Sequence, residues 1–216
     1  MNSHSVPAQH ILPKPRKTPV QQRSVFTVEI MCDACIQVLL DEGLERLTTT
    51  RVAARAGVSV GSVYQYFPNK QSLLAAVLER HLLAVVEAVE TACTDAKGQS
   101  TAHMADALVE AFMAAKFHNP AASRALYAVA AEIGGAAFVM HLTQRSQLAL
   151  CDMLATACDR QFSDMVATSF VLCTALIGPV QGLLASNATT ATVDAVRVQL
   201  VAMVSAYLQA VSHAAA

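Results

Sequence analysis

The chain has 216 residues, 54% of them apolar, with eight glycines and seven prolines, which is ample for a buried core and leaves too few β-type alternations for a sheet-rich fold. Its formal net charge of −1 hides an asymmetry: eight basic against five acidic residues through Lys70 leave +3 there and −4 in the rest, a distribution that suits a polyanion partner at one end only. The mean hydropathy of +0.41 is high, yet no stretch offers about 18 uncharged apolar residues between interfacial anchors, and Lys14, Arg16 and Lys17 have no apolar run behind them, so neither a membrane span nor a secretory signal is expected.

Residues 1–22 carry Pro7, Pro13, Pro15 and Pro19 together with that basic cluster. They read as a flexible basic arm, either a disordered leader or a segment that adds phosphate attraction. A first helix is predicted over 24–42, with Ile30, Ala34, Cys35, Val38 and Leu39 facing inward and Gly43 as its stop. Cys32 and Cys35 have the spacing of a redox or metal half-site, but inside a helix and without a second pair they read as core filling.

The stretch 47–70, LTTTRVAARAGVSVGSVYQYFPNK, reads as a helix-turn-helix. The threonines at 48 to 50 offer a cap, Val52, Ala53 and Ala56 form a short apolar stripe, Gly57 ends the helix, and Ser59 caps the next. In that second short helix only Val63 and Phe67 share the apolar spacing, so its other side chains face outward. A helix with small, hydrogen-bonding residues at its exposed start fits the major groove. Thr48 and Thr49 are candidate phosphate contacts, and Val60, Gly61, Ser62 and Gln65 candidate base-edge contacts.

AARAGVSVGSVYQYFPNK resembles the DNA-binding signature of the TetR family of transcriptional regulators, and the resemblance extends from about residue 27 to 78. It implies phosphate contacts by the Tyr64 and Tyr66 hydroxyls and by Lys70 at the start of the fourth helix, with double-stranded operator DNA as partner. It also implies a total of nine helices. Gly61 departs from the larger residues that some family members carry there.

Asn69 caps a fourth helix whose apolar face (Leu73, Leu74, Val77, Leu78, His81, Leu82, Val85) runs to about residue 95. Further helices are predicted over 101–118, 121–132, 136–161, 163–184 and 192–213, separated by residues 97–100, Asn119-Pro120, Gly134-Gly135 and the loop 186–190. The fold class is therefore all-α, with domains over 23–70 (helix-turn-helix, DNA-binding) and 71–216 (ligand-binding and dimerisation).

In the body, Met104, Leu108, Phe112, Met113, Phe117, Tyr127, Phe138, Met140, His141 and Gln144 share the space between the fifth, sixth and seventh helices, as an ordinary core or as a pocket for an apolar ligand. Tyr127, Glu132, His141 and Gln144 are its candidate polar contacts. The last two helices are apolar on more than one face, with Phe170, Val171 and Ile177 on one and Val196, Leu200 and Val204 on the other. A second subunit would cover them, and a homodimer also sets two recognition helices one DNA turn, about 34 Å, apart.

Six scattered cysteines, with Cys151 and Cys158 expected on one helix face, read as reduced thiols in a cytoplasmic protein. The histidines show no ligand spacing, so no metal or cofactor is expected. No nucleophile elbow, phosphate loop or metal motif supports an enzyme. The reading is a ligand-responsive repressor released from a palindromic operator by a small apolar molecule. The alternative is a helix-turn-helix adaptor that acts through protein contacts without such a ligand.

Overall fold

The computed structural model describes residues 22–215, in which nine helices and one short ribbon follow each other along the chain. Apart from Gln22, the 1–22 arm lies outside the described residues. The helices are α1 (Gln22–Glu42), α2 (Thr49–Ala56), α3 (Val60–Tyr66), α4 (Lys70–Asp95), α5 (Thr101–Phe117), α6 (Pro120–Glu132), α7 (Ala136–Leu154), α8 (Met165–Ala185) and α9 (Thr190–Ala210). Strands β1 (Arg160–Phe162) and β2 (Ser212–Ala214) pair antiparallel, with Gln161 opposite His213.

The chain divides into two compact units. The first holds the described residues up to Glu79 together with Ala128–Val139, and the second holds Arg80–Tyr127 and Met140–Ala216. Thus α4, α6 and α7 each contribute to both.

In the first unit α1 packs on α2 and α2 on α3. Met31, Cys32, Ala34, Cys35, Val38 and Leu39 of α1 are buried together with Leu47, Val52, Ala53, Val63, Phe67, Leu73 and Leu74. So small a core depends on its caps. Thr48 accepts the Arg51 N–H and Ser59 that of Ser62, while Asn69 Oδ1 accepts the Ser72 N–H at 2.8 Å. Gly57 closes α2 in the left-handed region at φ +68°, and Val58 N–H reaches back to the Ala53 carbonyl. A Cβ at Gly57 would meet nothing within 4 Å, so a side chain there is strained by conformation alone. Gly57→Val is expected to lower the unfolding free energy by about 1–2 kcal/mol, and Gly57→Asn by less, because a β-branched residue tolerates positive φ worst. Urea unfolding of the two variants beside wild type checks the order.

In the second unit α5 is central, packed against α9 and α8. Its buried side chains Met104, Ala105, Leu108, Val109 and Met113 meet Leu150, Met153 and Leu154 of α7, Leu172, Leu176 and Val180 of α8, and Leu200, Val204 and Leu208 of α9 in one cluster. Both α8 and α9 are long and apolar enough to cross a membrane by length and composition, with 33% and 17% of their most apolar windows buried. Val166, Phe170, Val171, Val198 and Met203 remain exposed on them.

Two helix ends differ from expectation. The seventh helix stops at Leu154 and not at 161, and the ninth at Ala210 and not at 213. The physical cause is a set of competing bonds after Leu154: Thr156 Oγ1 donates to the Met153 carbonyl and accepts the Gly98 N–H, and Cys158 N–H donates to the Gln99 carbonyl. The Asp159 carboxylate accepts both the N–H and the hydroxyl of Thr101, at 2.9 Å each, and so ties down the start of α5. Residues 160–162 then pair with 212–214, and Cys158 is exposed outside the helix that carries Cys151.

Candidate functional site

Helix α3 is held by its two ends and by one inward pair. Ser59 Oγ accepts the Ser62 N–H and lies 2.8 Å from Ser62 Oγ, and the Phe67 N–H donates to the Val63 carbonyl at 2.8 Å. Val63 and Phe67 are fully buried, which fixes the rotation of the helix. Val60, Gly61, Tyr64 and Gln65 are consequently exposed, and Ser62 and Tyr66 half-buried.

Thr48 is exposed at the amino-terminal end of α2, with its hydroxyl spent on the cap. Thr49 is buried and its hydroxyl donates to Tyr64 Oη at 3.2 Å. Because that phenol oxygen accepts from inside, its own proton is left to donate outward, as a phosphate contact requires. Lys70 opens α4 and its Nζ donates to the Leu44 carbonyl at 2.8 Å, which leaves two N–H donors and the charge. The arginines behind are tied to α1: Arg51 to Glu42 at 2.9 Å and Arg55 to Asp41 at 2.8 Å. The structure therefore gathers the residues named for DNA on α2, α3 and the start of α4. The Thr49–Tyr64 and Lys70–Leu44 bonds that orient them span 15 and 26 residues, and no local pattern announces them.

The residues named for a ligand are dispersed. Met104, Leu108 and Met113 are buried in the core cluster of the second unit, with Phe112, Phe117 and Tyr127 half-buried against it. His141 and Gln144 are exposed, and Glu132, also exposed, belongs to the first unit. Phe117 also lines an open cavity of about 490 Å³ with Asn119, Pro120, Ala121, Arg124, Leu183, Leu184, Asn187, Ala188, Thr190 and Val193, beside the α5–α6 and α8–α9 turns.

The polar groups that do go inside are others. Lys116 is only 5% exposed, with its ammonium 5.1 Å from the centre of the Tyr127 ring. Ser123 Oγ donates to the Lys116 carbonyl at 2.7 Å and lies 3.4 Å from His81 Nε2. Burial, the Lys116 charge and Arg80 push the His81 pKa down to about 4, so the imidazole is neutral, and burial holds the Tyr127 phenol above its ordinary range. The one signal for Lys116 in the sequence is a cation set three residues after Met113 and seven after Val109, in the apolar stripe of α5. Among the described residues no group of three or more His, Cys, Asp and Glu side chains could hold a metal ion.

Against known proteins, residues 32–77 match the bacterial regulatory proteins of the tetR family, and residues 100–208 match the tetracyclin repressor-like C-terminal domain. The nucleoid occlusion factor SlmA of Haemophilus ducreyi is 29% identical over 119 residues, 54% of either chain. The fatty acid metabolism regulator protein of Bacillus subtilis is 31% identical over 77 residues, 36% of this chain and 38% of that one. The chain thus spans about half, or less, of the length of these curated relatives. A TetR-family regulator from Streptomyces coelicolor superposes with a TM-score of 0.61 at 24% identity, over 86% of this chain and 99% of that one. One from Mesorhizobium loti does so with a TM-score of 0.71 at 19% identity, over 89% and 99%. These likenesses fix the fold, and the family match over more than half the residues fixes the kinship: the chain belongs to the TetR family of transcriptional regulators, DNA-binding proteins that are not enzymes.

Proposed function

We propose that the protein works in the cytoplasm as a homodimeric repressor that leaves a palindromic operator when a small apolar molecule occupies its 71–216 part. The observation that carries the DNA half of this reading is the outward polar face of α3, set by the burial of Val63 and Phe67. On that face Val60, Gly61, Ser62 and Gln65 meet base edges, while Tyr64, Tyr66, Lys70 and the amino-terminal end of α2 at Thr48 and Thr49 hold phosphates. The exposed apolar residues of α8 and α9, Val166, Phe170, Val198 and Met203 among them, support a twofold interface made by those helices. Effector binding then favours a separation of the two α3 copies that no longer matches adjacent major grooves.

A gel-shift and footprint on the promoter region beside its own gene tests this, with sequence-specific retention expected at moderate salt. Tyr64→Phe is expected to weaken retention about a hundredfold with the dimer intact, since it removes one charge-assisted hydrogen bond from each of two subunits. Lys70→Ala is expected to lower the slope of log affinity against log salt by about two, one phosphate contact from each subunit. Absence of any sequence preference sinks the reading. The adaptor alternative is favoured by one observation, the match to proteins named as nucleoid occlusion factors. Under it Tyr64→Phe leaves cellular function unchanged.

A further inference from the structure

In the second unit Lys116 is only 5% exposed, and no acidic side chain among the described residues pairs with its charge. Ion pairs in this unit join Arg145 to Glu90, Arg197 to Glu110 and Arg197 to Asp194, and none of these involves Lys116. The neighbouring polar groups do not answer it either. The Ser123 hydroxyl is spent on the Lys116 carbonyl, and His81 is an uncharged imidazole. What remains is the face of Tyr127 and the carboxyl-terminal end of α5, both favourable to a cation and both weaker than a counter-ion. Proteins rarely bury a lysine without a partner, because the desolvation of an ammonium is large.

We propose that Lys116 is the recognition group for an anionic effector, an apolar molecule bearing one carboxylate, whose charge it neutralises beside Tyr127. This rests on the ligand-responsive reading above and specifies its ligand. A monoanion fits because Lys116 is the one buried cation among the described residues. A phosphate dianion would leave one charge uncompensated. The Tyr127 phenol, kept protonated by burial, is available as a second donor to the carboxylate. Met113 and Phe112, one turn back on α5, together with Phe117 give the body of the molecule an apolar setting. A neutral molecule of the same shape gains the apolar contacts but leaves the ammonium unanswered, so the charge and not the size discriminates.

The test is isothermal titration of the full-length protein with hexanoate, decanoate and naphthoate, each beside its methyl ester, on wild type, Lys116→Met and Lys116→Arg. At least one acid is expected to bind wild type about tenfold or more tighter than its ester. Lys116→Met is expected to lose that preference while keeping the affinity for the ester, and Lys116→Arg to keep part of the preference. An ester that binds wild type as well as its acid, a preference that survives in Lys116→Met, or no binding of any acid in the series overturns the proposal. The acid-to-ester comparison on wild type decides the matter even if a variant fails to fold. If neutral compounds release operator DNA and acids do not, the repressor reading stands and the anionic effector falls. If the protein retains no operator at all, that reading falls while the titration still reports on Lys116.

Discussion

Phe67→Ala is expected to destabilise the protein by about 3–5 kcal/mol and to abolish operator retention without touching any residue that faces DNA. Phe67 is fully buried at the carboxyl end of α3, in a small unit made by α1, α2, α3, the first turns of α4 and residues 128–139. The loss is of the same order as the whole stability of many small domains, about 5 kcal/mol, and the site has little surrounding mass with which to collapse on the cavity. Retention should fail because α3 is no longer held, so the far-ultraviolet signal of the first unit should be lost at lower urea than that of the second. Tyr64→Phe provides the contrast: it should lose affinity at a cost in stability of only about 1 kcal/mol, from the Thr49 hydroxyl that loses its acceptor. A midpoint for Phe67→Ala within about 0.5 kcal/mol of wild type would mean that Phe67 is not what closes this core.

That contrast also shows why one half of the protein is legible in its sequence and the other less so. The helix-turn-helix announces itself because its determinants are local: Thr48, Ser59 and Asn69 cap within three residues, and Gly57 suits the φ of +68° between α2 and α3. The end of α7 is decided elsewhere. Thr156, Cys158 and Asp159 are drawn to Gly98, Gln99 and Thr101, 58 residues away in the Thr101 bonds, and helix propensity around residue 157 carries no trace of that. The ribbon was equally hidden, since β1 pairs with a tail, SHA, that reads as a continuation of α9.

Helix phase explains the dispersal of the residues named for a ligand. The buried stripe of α7 is Leu142, Ser146, Leu150 and Met153, which turns His141, Gln144 and Leu148 away from it. A run as apolar as AAFVMHLTQ allows more than one phase, and packing of the remaining chain selects among them. Lys116 is hard to read from the sequence for the opposite reason: its stripe is unambiguous, but lysines are so rarely buried that residue type argues against its position.

Lys116→Met is expected to stabilise the protein by about 2–3 kcal/mol at neutral pH, which for a chain of this length raises the melting temperature by about 5–10 °C. Burial pushes the Lys116 pKa down to about 8, whereas the same group in the unfolded chain titrates near 10.4, about two units higher. Between those values the unfolded chain binds more protons, so wild type should gain stability as the pH rises through the window. Below it both states are charged and the folded one carries the whole penalty. Methionine keeps an unbranched stem and removes the charge, so the advantage of the variant should be largest below about pH 8 and vanish near pH 10. The thiols work the other way. Burial raises Cys93 to about 12 and Cys173 to about 11, so both proteins should weaken as unfolded cysteines ionise above about pH 8.5. That loss is common to wild type and variant and cancels in their difference. Melting curves of the pair at several pH values therefore isolate the lysine, and a difference that is absent or independent of pH would mean that its ammonium finds an answering charge inside the folded protein.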